Sequence, residues 1–322
     1  MSKIKRNFIG EKDLSRKAAS FRLAMQVVKS GNEETIQKSA QSIRMLANFA
    51  KEEYGLKNIS RLDSLQMADF AHRLLEKREN GEISAGHTTN IISSLNTVFT
   101  HYYRDDLKIS AKEYGLNRGH RFNNIDKSVS ADIHNKFSDF LTKSYINHGD
   151  ARYEALRLQV ELQRGIGLRF KESALFSGKE LQRNGNLNIR KGTKGGQLRR
   201  VQSTEKQREL VREVKDFRKE SNLKTSLIPD GMSFKEWRHF AYNTVKEFNK
   251  EIGLKYNFHG ERHHYAQSRY KELTGYEPPV KSNGETFIDK EKDYQIRLII
   301  SEELGHHRVD ITNFYIGGDN EC

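Results

Sequence analysis

Proline is almost absent from this chain, and its scarcity limits the folds open to it. Only Pro229, Pro278 and Pro279 occur among 322 residues, although proline is the residue that most often interrupts a helix. Apolar residues recur at the spacing of amphipathic helices, whereas strand-like alternation is confined to one short region. The pattern predicts a mainly α protein with a small β-hairpin, an α+β fold.

A chain of 322 residues is long enough to form two domains, each with its own hydrophobic core. In the first part, helical periodicity covers residues 12–30, 33–54, 63–79 and 85–104, and Gly31 is a predicted helix stop. This part reads as a small helical bundle. The segment Arg118–Asn124 leads out of it and is predicted to be an inter-domain linker that also touches backbone phosphates.

The second part mixes helices with one hairpin. Helical segments are predicted at residues 151–163 and 169–176, and strand-like alternation occurs at residues 187–190 and 198–202. Glycines between the two strands allow the positive φ of a hairpin loop. Ser233 and Glu236 have the spacing of a capping box and open a further helix, whose aromatic face is interpreted as core.

The net charge indicates the class of binding partner, and the cysteine content indicates the cellular compartment. The formal net charge is +13, with a sequence pI near 9.5, which favours polyanionic partners. The one cysteine, Cys322, allows no intrachain disulfide, and this fits a reducing cytosol. With no apolar run of membrane-spanning length and no signal peptide, a soluble, cytoplasmic protein is expected.

Three short motifs carry chemistry. Arg169 follows a Gly-Leu pair, His259 and Arg262 lie three residues apart, and a Leu-Gly-His turn at His306 precedes Tyr315 by nine residues. Arginines can clamp a phosphate bidentately. Histidines can donate to its oxygens or move a proton, and a tyrosine oxygen can bond covalently to phosphorus. The set suits attack of a phenolic oxygen on a phosphodiester.

The order of these motifs and their residue types resemble those of the tyrosine recombinases, also called phage integrases, over about residues 128–315. The resemblance implies a helical core-binding (SAM-like) DNA-binding domain at 1–125 and a catalytic domain at 126–322, which together close on DNA as a C-shaped clamp. It implies that Arg169, His259, Arg262 and His306 bind the scissile phosphate, with Glu172 bracing Arg169. Tyr315 stands at the nucleophile position.

Family members also carry a catalytic lysine in the β-hairpin turn, which protonates the leaving 5′ oxygen. Two candidates exist here, Lys191 and Lys194. A recurrent family motif is Thr-Lys-Thr-Gly, followed by a basic residue and an apolar strand. Lys194 is the better match because it follows Thr193. Lys191 remains the alternative.

The function implied by the resemblance is that of a site-specific DNA recombinase or integrase, for a mobile element. The DNA is cleaved and rejoined through a 3′-phosphotyrosine and a Holliday junction, without a metal, a nucleotide or any other cofactor. The implied partners are double-stranded DNA sites, a homo-tetramer on two such sites, and DNA-bending accessory proteins. The implied location is a bacterial cytoplasm, with the protein nucleoid-associated and bacterial or phage-encoded.

Other functional interpretations are compatible with parts of this motif pattern. A type IB topoisomerase or a telomere-resolving enzyme uses the same chemistry but rejoins the strands differently. A catalytically silent DNA-binding regulator could keep the fold, although all six matched positions argue against it. A zinc site at His259, His263 and His264 is disfavoured because neither a His-Glu-x-x-His motif nor a cysteine pair accompanies them.

Three departures from the family pattern stand out. Glu261 replaces the usual apolar residue inside the His-x-x-Arg box. The 44 positions from Arg262 to His306 are more than usual, and residues 276–284 read as an inserted surface loop. Only seven residues follow Tyr315, too few for a tail helix that docks on a neighbouring protomer, so either protomers couple in another way or the sequence is truncated.

Overall fold

A computed structural model describes residues 13–28, 33–117 and 124–318. The chain divides into two compact units, residues 1–121 and 122–322. The predicted helix stop at Gly31, the predicted linker apart from Asn124, and Cys322 lie outside the described residues. The predicted α+β class is confirmed, because the described residues are mainly helical and contain one small sheet.

The first unit contains four α-helices in its described part. They are α1 (Lys17–Val27), α2 (Glu33–Tyr54), α3 (Ser64–Glu79) and α4 (Ala85–His101). Local sequence defines their starts: the Asp63 side chain accepts a hydrogen bond from the Gln66 backbone N–H at 2.9 Å, and the Gln66 side chain accepts from the Asp63 N–H in return. The apolar faces of all four helices enclose one hydrophobic core.

The second unit contains eight α-helices and two strands in its described part. In chain order these are α5 (Ala131–His148), α6 (Ala151–Ile166), α7 (Phe170–Ala174), β1 (Asn186–Ile189), β2 (Arg199–Gln202), α8 (Glu205–Glu220), α9 (Phe234–Ile252), α10 (Phe258–Thr274), α11 (Lys290–Glu303) and α12 (Val309–Ile316). The capping box at Ser233 opens α9 as predicted, and Trp237 on that helix is fully buried.

The predicted hairpin is present, with the first strand shifted by one residue from the prediction and the second beginning one residue later. β1 and β2 pair antiparallel, with Leu187 opposite Val201 and Ile189 opposite Arg199. All four of these side chains face the interior, whereas Arg200 is exposed. Because side chains alternate along a strand, this register directs one arginine of the Arg-Arg pair into the protein.

Two buried clusters fill the second unit. The larger includes Phe137, Trp237 and Phe248, and the smaller lies between α10, α11 and α12 and includes Ile300, Leu304 and Tyr315. α12 packs on both α10 and α11, so Tyr315 is held at the place where the His-x-x-Arg helix and the Leu-Gly-His turn meet. In the described parts of the chain, no helix combines the length and apolarity needed to cross a membrane.

Candidate active site

The phenol of Tyr315 lies at the centre of the motifs singled out in the sequence. Its Oη is 3.3 Å from Nε of Arg262 and 3.2 Å from Nε2 of His306. The ring centroid of His259 is 5.7 Å from that of Tyr315, and Nη2 of Arg169 lies 3.4 Å from Nε2 of His306. Five of the six predicted site residues therefore meet in one place, although they come from four separate segments of the chain.

Arg169 is placed by a carboxylate three residues along the chain. It caps α7, where Glu172 accepts hydrogen bonds from the Arg169 backbone N–H at 2.9 Å and from its Nη1 at 2.6 Å. Glu172 is fully buried, while Arg169 keeps 24% of its side chain exposed. The bracing predicted for Glu172 is thus visible in the contacts, and the outer edge of the Arg169 guanidinium stays accessible to a ligand.

Arg262 is buried and bound mainly to backbone carbonyls. Its Nη2 donates to the Leu304 carbonyl at 2.5 Å, and its Nη1 donates to the Gly167 carbonyl. Nη2 also lies 3.2 Å from Nε2 of His306. These bonds join the Gly-Leu-Arg segment, α10 and the Leu-Gly-His turn through one side chain, so Arg262 positions three motifs at once.

Arg199 is a further member of this cluster that the sequence analysis missed. It is 1% exposed, and its Nη1 donates to Glu172 at 2.9 Å while its Nη2 donates to the Ile166 carbonyl at 2.6 Å. Burial lowers the pKa of Arg199 to about 10, with Glu172 acting in the opposite direction, so the guanidinium is charged near neutral pH. Strand alternation could have indicated that Arg199 is buried, because it lies two residues from apolar Val201 and on the same face of the strand.

The cluster carries an excess of positive charge. Within the described residues, Glu172 accepts hydrogen bonds from Arg169 and Arg199, and it interacts with the nearby charge of Arg262 without a hydrogen bond. Burial alone would raise the pKa of Glu172, but the charges of the three arginines outweigh it and hold that pKa below its ordinary value. Three guanidiniums and one carboxylate leave two formal positive charges, which suits an anionic ligand.

The histidines of the site are neutral near pH 7. Burial, followed by the charge of Arg262, lowers the pKa of His306 to about 3. Protein atoms crowded around His259 desolvate it and lower its pKa to about 4, although the residue as a whole is exposed. His263, whose ring lies 4.7 Å from that of Tyr315, is buried, which lowers its pKa to about 3.

Neutral His306 has a defined orientation of donors and acceptors. The guanidinium groups of Arg169 and Arg262 can only donate, so Nε2 of His306, which faces both, is the acceptor. The Tyr315 hydroxyl, which accepts from Nε of Arg262, can therefore direct its own proton towards Nε2 of His306. The arrangement provides a proton acceptor next to the phenol.

Lys194 is not brought into this cluster. Its side chain is exposed, and within the described residues it makes no hydrogen bond or ion pair to the arginines, the histidines or Tyr315. The hairpin loop itself does approach the site, because a Cβ on Gly192 would lie 2.8 Å from the Lys171 carbonyl carbon and 2.9 Å from the Glu172 nitrogen. Lys191 is also exposed, so the choice between the two lysines stays a prediction.

Glu261, the unusual residue in the His-x-x-Arg box, has buried partners of its own. It is fully buried and accepts from Nη1 of Arg164 at 2.6 Å, while Nδ1 of His134 lies 3.0 Å from its other oxygen. The second ring nitrogen of His134 is 3.1 Å from Glu161. A carboxylate therefore replaces an apolar residue here without being left unpaired. The network ties α10, which carries Arg262, to α5 and α6.

His134 should give this network a distinctive pH dependence. Burial alone would lower its pKa, but the hydrogen bonds and charges of Glu161 and Glu261 outweigh burial and raise the pKa to about 9. A folded-state pKa above the unfolded value means that the stabilisation is complete below about pH 6.5 and is lost as the pH rises through about 9. We expect His134→Gln to lower the free energy of unfolding clearly at pH 6 and much less at pH 10.

Urea unfolding of the wild type and the variant at both pH values measures this difference. His148 is a matched control, because it is an exposed histidine at the end of the same helix. His148→Gln should leave stability nearly unchanged at either pH. A loss of stability in His134→Gln that is equal at pH 6 and pH 10 would contradict the charged state assigned to His134.

Other side chains near the site can be assigned simpler roles. The Tyr265 hydroxyl donates to Glu303 at 2.9 Å and that of Tyr270 to Asp293 at 2.7 Å, whereas Tyr276 and Tyr294 are exposed. His307 is exposed. Across the described ranges, no group of three or more histidine, cysteine or acidic side chains is arranged to hold a metal ion.

Comparison with known proteins finds one family model that matches part of the chain and solved structures that share its fold. The integrase family model matches residues 125–268, a range that includes Arg169, Lys194, His259 and Arg262 and ends before His306 and Tyr315. No curated protein sequence matches the chain significantly. Among solved structures, the XerH site-specific recombinase bound to a palindromic difH substrate in a post-cleavage complex aligns with a TM-score of 0.59 at 16% identity, over 93% of this chain and 80% of that one.

The Tn1549 transposon integrase, solved in complex with transposon right end DNA, aligns with a TM-score of 0.58 at 16% identity. That alignment spans 93% of this chain and 94% of the integrase chain. At such low identities these two likenesses establish a shared fold over nearly the whole chain. The integrase family model thus matches the first part of the second unit in sequence, and the XerH recombinase and the Tn1549 integrase share the fold.

Proposed function

We propose that the protein is a site-specific DNA recombinase in which Tyr315 cleaves a DNA strand and stays linked to its 3′ phosphate. The observation that carries the proposal is the position of the Tyr315 hydroxyl, within hydrogen-bond distance of both Arg262 and His306. A tyrosine that only filled the core would not need an arginine and a histidine next to its oxygen. The low polarity of the buried surroundings strengthens each of these interactions.

The charge of the cluster supports a phosphodiester as its ligand. Arg169 and Arg262 supply positive charge where negative charge develops on phosphate oxygens during attack. Arg199 is too deeply buried to reach DNA. Its role is to add charge and to hold Glu172, which in turn fixes Arg169.

The proton of Tyr315 has a defined destination in this mechanism. As the phenolic oxygen bonds to phosphorus, its proton passes to Nε2 of His306, 3.2 Å away, because the bound phosphate offsets the charge of the arginines and raises the pKa of His306 from about 3. The His306 N–H formed in this way can then donate to a phosphate oxygen. The bond from phosphorus to the 5′ oxygen breaks, and that oxygen takes a proton from Lys194, with Lys191 as the alternative.

Rejoining reverses these steps. A 5′ hydroxyl from a partner strand attacks the phosphotyrosine, Tyr315 regains its proton, and no nucleotide is consumed because the tyrosyl ester keeps the bond energy. Exchange of strands between two sites then passes through a Holliday junction. We propose four protomers on two double-stranded DNA sites, with DNA-bending accessory proteins as further partners and the first unit, residues 1–121, contributing DNA contacts.

A mobile element is the proposed context, because the Tn1549 relative is a transposon integrase by name. The test is to isolate protein crosslinked to DNA through its own chemistry in cells and to sequence the attached DNA. A short recurrent sequence is expected, and two copies of it on one plasmid should recombine when the protein is added. Random attached sequences, or relaxation of supercoils without recombination, would contradict the proposal.

Cleavage should not depend on a divalent metal ion. The guanidiniums of Arg169 and Arg262 supply the positive charge that many phosphodiester-cleaving enzymes obtain from Mg²⁺. We therefore expect the rate of covalent adduct formation on the cognate site to be unchanged in excess EDTA. A Mg²⁺-dependent nuclease in the same buffer serves as the control for metal removal. Loss of the chemical step in EDTA, with recovery on adding Mg²⁺ or Zn²⁺, would be inconsistent with this mechanism.

A further inference from the structure

The two residues after α12 are held by an asparagine from the start of the second unit. Asn124 Nδ2 donates to the Gly318 carbonyl at 3.2 Å, and the Gly318 N–H donates to Asn124 Oδ1 at 3.1 Å. This reciprocal pair spans 194 positions of sequence. Asn124 has a positive φ of 41°, a conformation that asparagine tolerates better than most residues. The backbone just beyond Tyr315 is thus fixed to a distant segment.

Two further side chains hold the same stretch from the other helices. Nη1 of Arg297 donates to the Gly317 carbonyl at 2.7 Å and to Asn313 Oδ1 at 2.6 Å. Nε2 of Gln267 donates to the carbonyl of Tyr315 itself at 3.1 Å. The carbonyls of Tyr315 and Gly317 therefore both have side-chain donors, and these come from α10 and α11.

The inserted segment at residues 276–284 completes the contact. Gly317 has φ 76° and ψ −177°, a conformation that is essentially limited to glycine. A Cβ at this position would lie 2.7 Å from the Val280 nitrogen and 2.8 Å from Asn124 Oδ1. The prediction that the insert is only a surface loop was incomplete, since Pro278 and Pro279 are buried and Val280 packs against Gly317.

We propose that Asn124, Val280 and Arg297 form a clasp on Gly317 and Gly318 whose role is to position the Tyr315 hydroxyl between Arg262 and His306. The inference rests on the proposed function and extends it by assigning a role to the insert and to Asn124. In this account Asn124 is a positioning residue, because it acts on the reacting oxygen only through the backbone of residues 315–318.

The length of α12 explains why such a clasp is needed. The helix has eight residues, with Tyr315 next to its last position. Isolated helices shorter than about 12 residues are marginal in water, and helix ends fray first. Without contacts beyond its C-terminus, the last turn of α12 would fray, and the phenol would leave the position that it holds relative to His306.

The test compares Asn124→Ala with Asn283→Ala. Asn283 lies in the insert at residues 276–284, has a φ of 52° and is exposed. Both substitutions therefore place alanine at a positive φ, but only Asn124→Ala removes contacts to Gly318. Two quantities are measured: hydrogen exchange of a peptide covering α12 and Gly317–Gly318, and the rate of adduct formation on saturating nicked DNA. Exchange reports on the clasp whether or not the protein is a recombinase.

We expect Asn124→Ala to speed exchange in that peptide and to slow adduct formation by at least about tenfold, since a nucleophile misplaced by about 1 Å can lose on the order of 100-fold in rate. DNA affinity and melting temperature should match those of Asn283→Ala. Asn124→Asp, which keeps the acceptor for the Gly318 N–H, should recover part of the rate. Equal exchange and equal rates in the two alanine variants would overturn the clasp, while absence of adduct in the wild type would instead refute the proposed function.

Discussion

Tyr315→Phe should abolish the covalent protein–DNA adduct while leaving the fold and DNA binding nearly intact. The substitution removes one oxygen from a 5% exposed side chain and keeps the ring that packs in the core between α10, α11 and α12. Two hydrogen bonds are lost, from Arg262 and to His306, each worth about 1 kcal/mol net. The measurement is adduct formation on nicked DNA, with binding followed by gel shift.

Tyrosines elsewhere in the second unit supply the controls. Tyr276→Phe changes an exposed residue, and Tyr270→Phe changes a buried one that donates to Asp293. Neither hydroxyl contacts Arg169, Arg262 or His306, so both variants should form adduct at the wild-type rate. Persistent adduct in Tyr315→Phe, or its loss in either control, would show that the nucleophile has been assigned to the wrong residue.

Glu172→Gln should strongly destabilise the protein in the absence of DNA. The substitution leaves Arg169, Arg199 and Arg262 without their shared carboxylate, and Arg199 and Arg262 are almost completely buried. Removing one partner of a buried ion pair costs about 3–5 kcal/mol, because the remaining charge is left uncompensated. Urea unfolding at pH 7 measures the loss. Arg169 should also lose its fixed orientation, so adduct formation should fall as well.

A ligand that restores the missing negative charge should offset part of this loss. We expect cognate DNA to raise the melting temperature of Glu172→Gln by more than it raises that of the wild type, since binding to the folded state alone adds to its stability. Glu205→Gln is the matched control, because Glu205 also pairs with two arginines, Arg208 and Arg212, but at the surface. Similar stabilities of Glu172→Gln and Glu205→Gln would contradict the central place given to Glu172.

The parts of the structure that sequence could predict are those set by local patterns. Apolar periodicity located α2, α3 and α4 closely, and the Ser233 capping box located the start of α9. The three short motifs, interpreted through their resemblance to a known family, indicated Tyr315 and four side chains that lie around it. Their chemical roles, and that of Lys194, stay predictions because they depend on DNA.

What the sequence could not predict depends on partners far apart in the chain. Glu261 looked like a departure from the family pattern because its partner His134 lies 127 positions away. Asn124 had no apparent link to residue 318. Nothing local marks these pairs, since burial and register decide which polar side chains meet. Arg199 is an intermediate case, because strand alternation could have placed it inside.

The most direct test of the account is to identify the residue that becomes linked to DNA. A substrate nicked near the cleavage point loses its short 5′ fragment by diffusion, which prevents rejoining and traps the intermediate. Protease digestion and mass spectrometry of the trapped complex should recover a peptide that contains Phe314, Tyr315 and Ile316, with a DNA 3′ phosphate on the tyrosine oxygen. Recovery of another tyrosine, of a serine, or of a 5′ linkage would contradict the account.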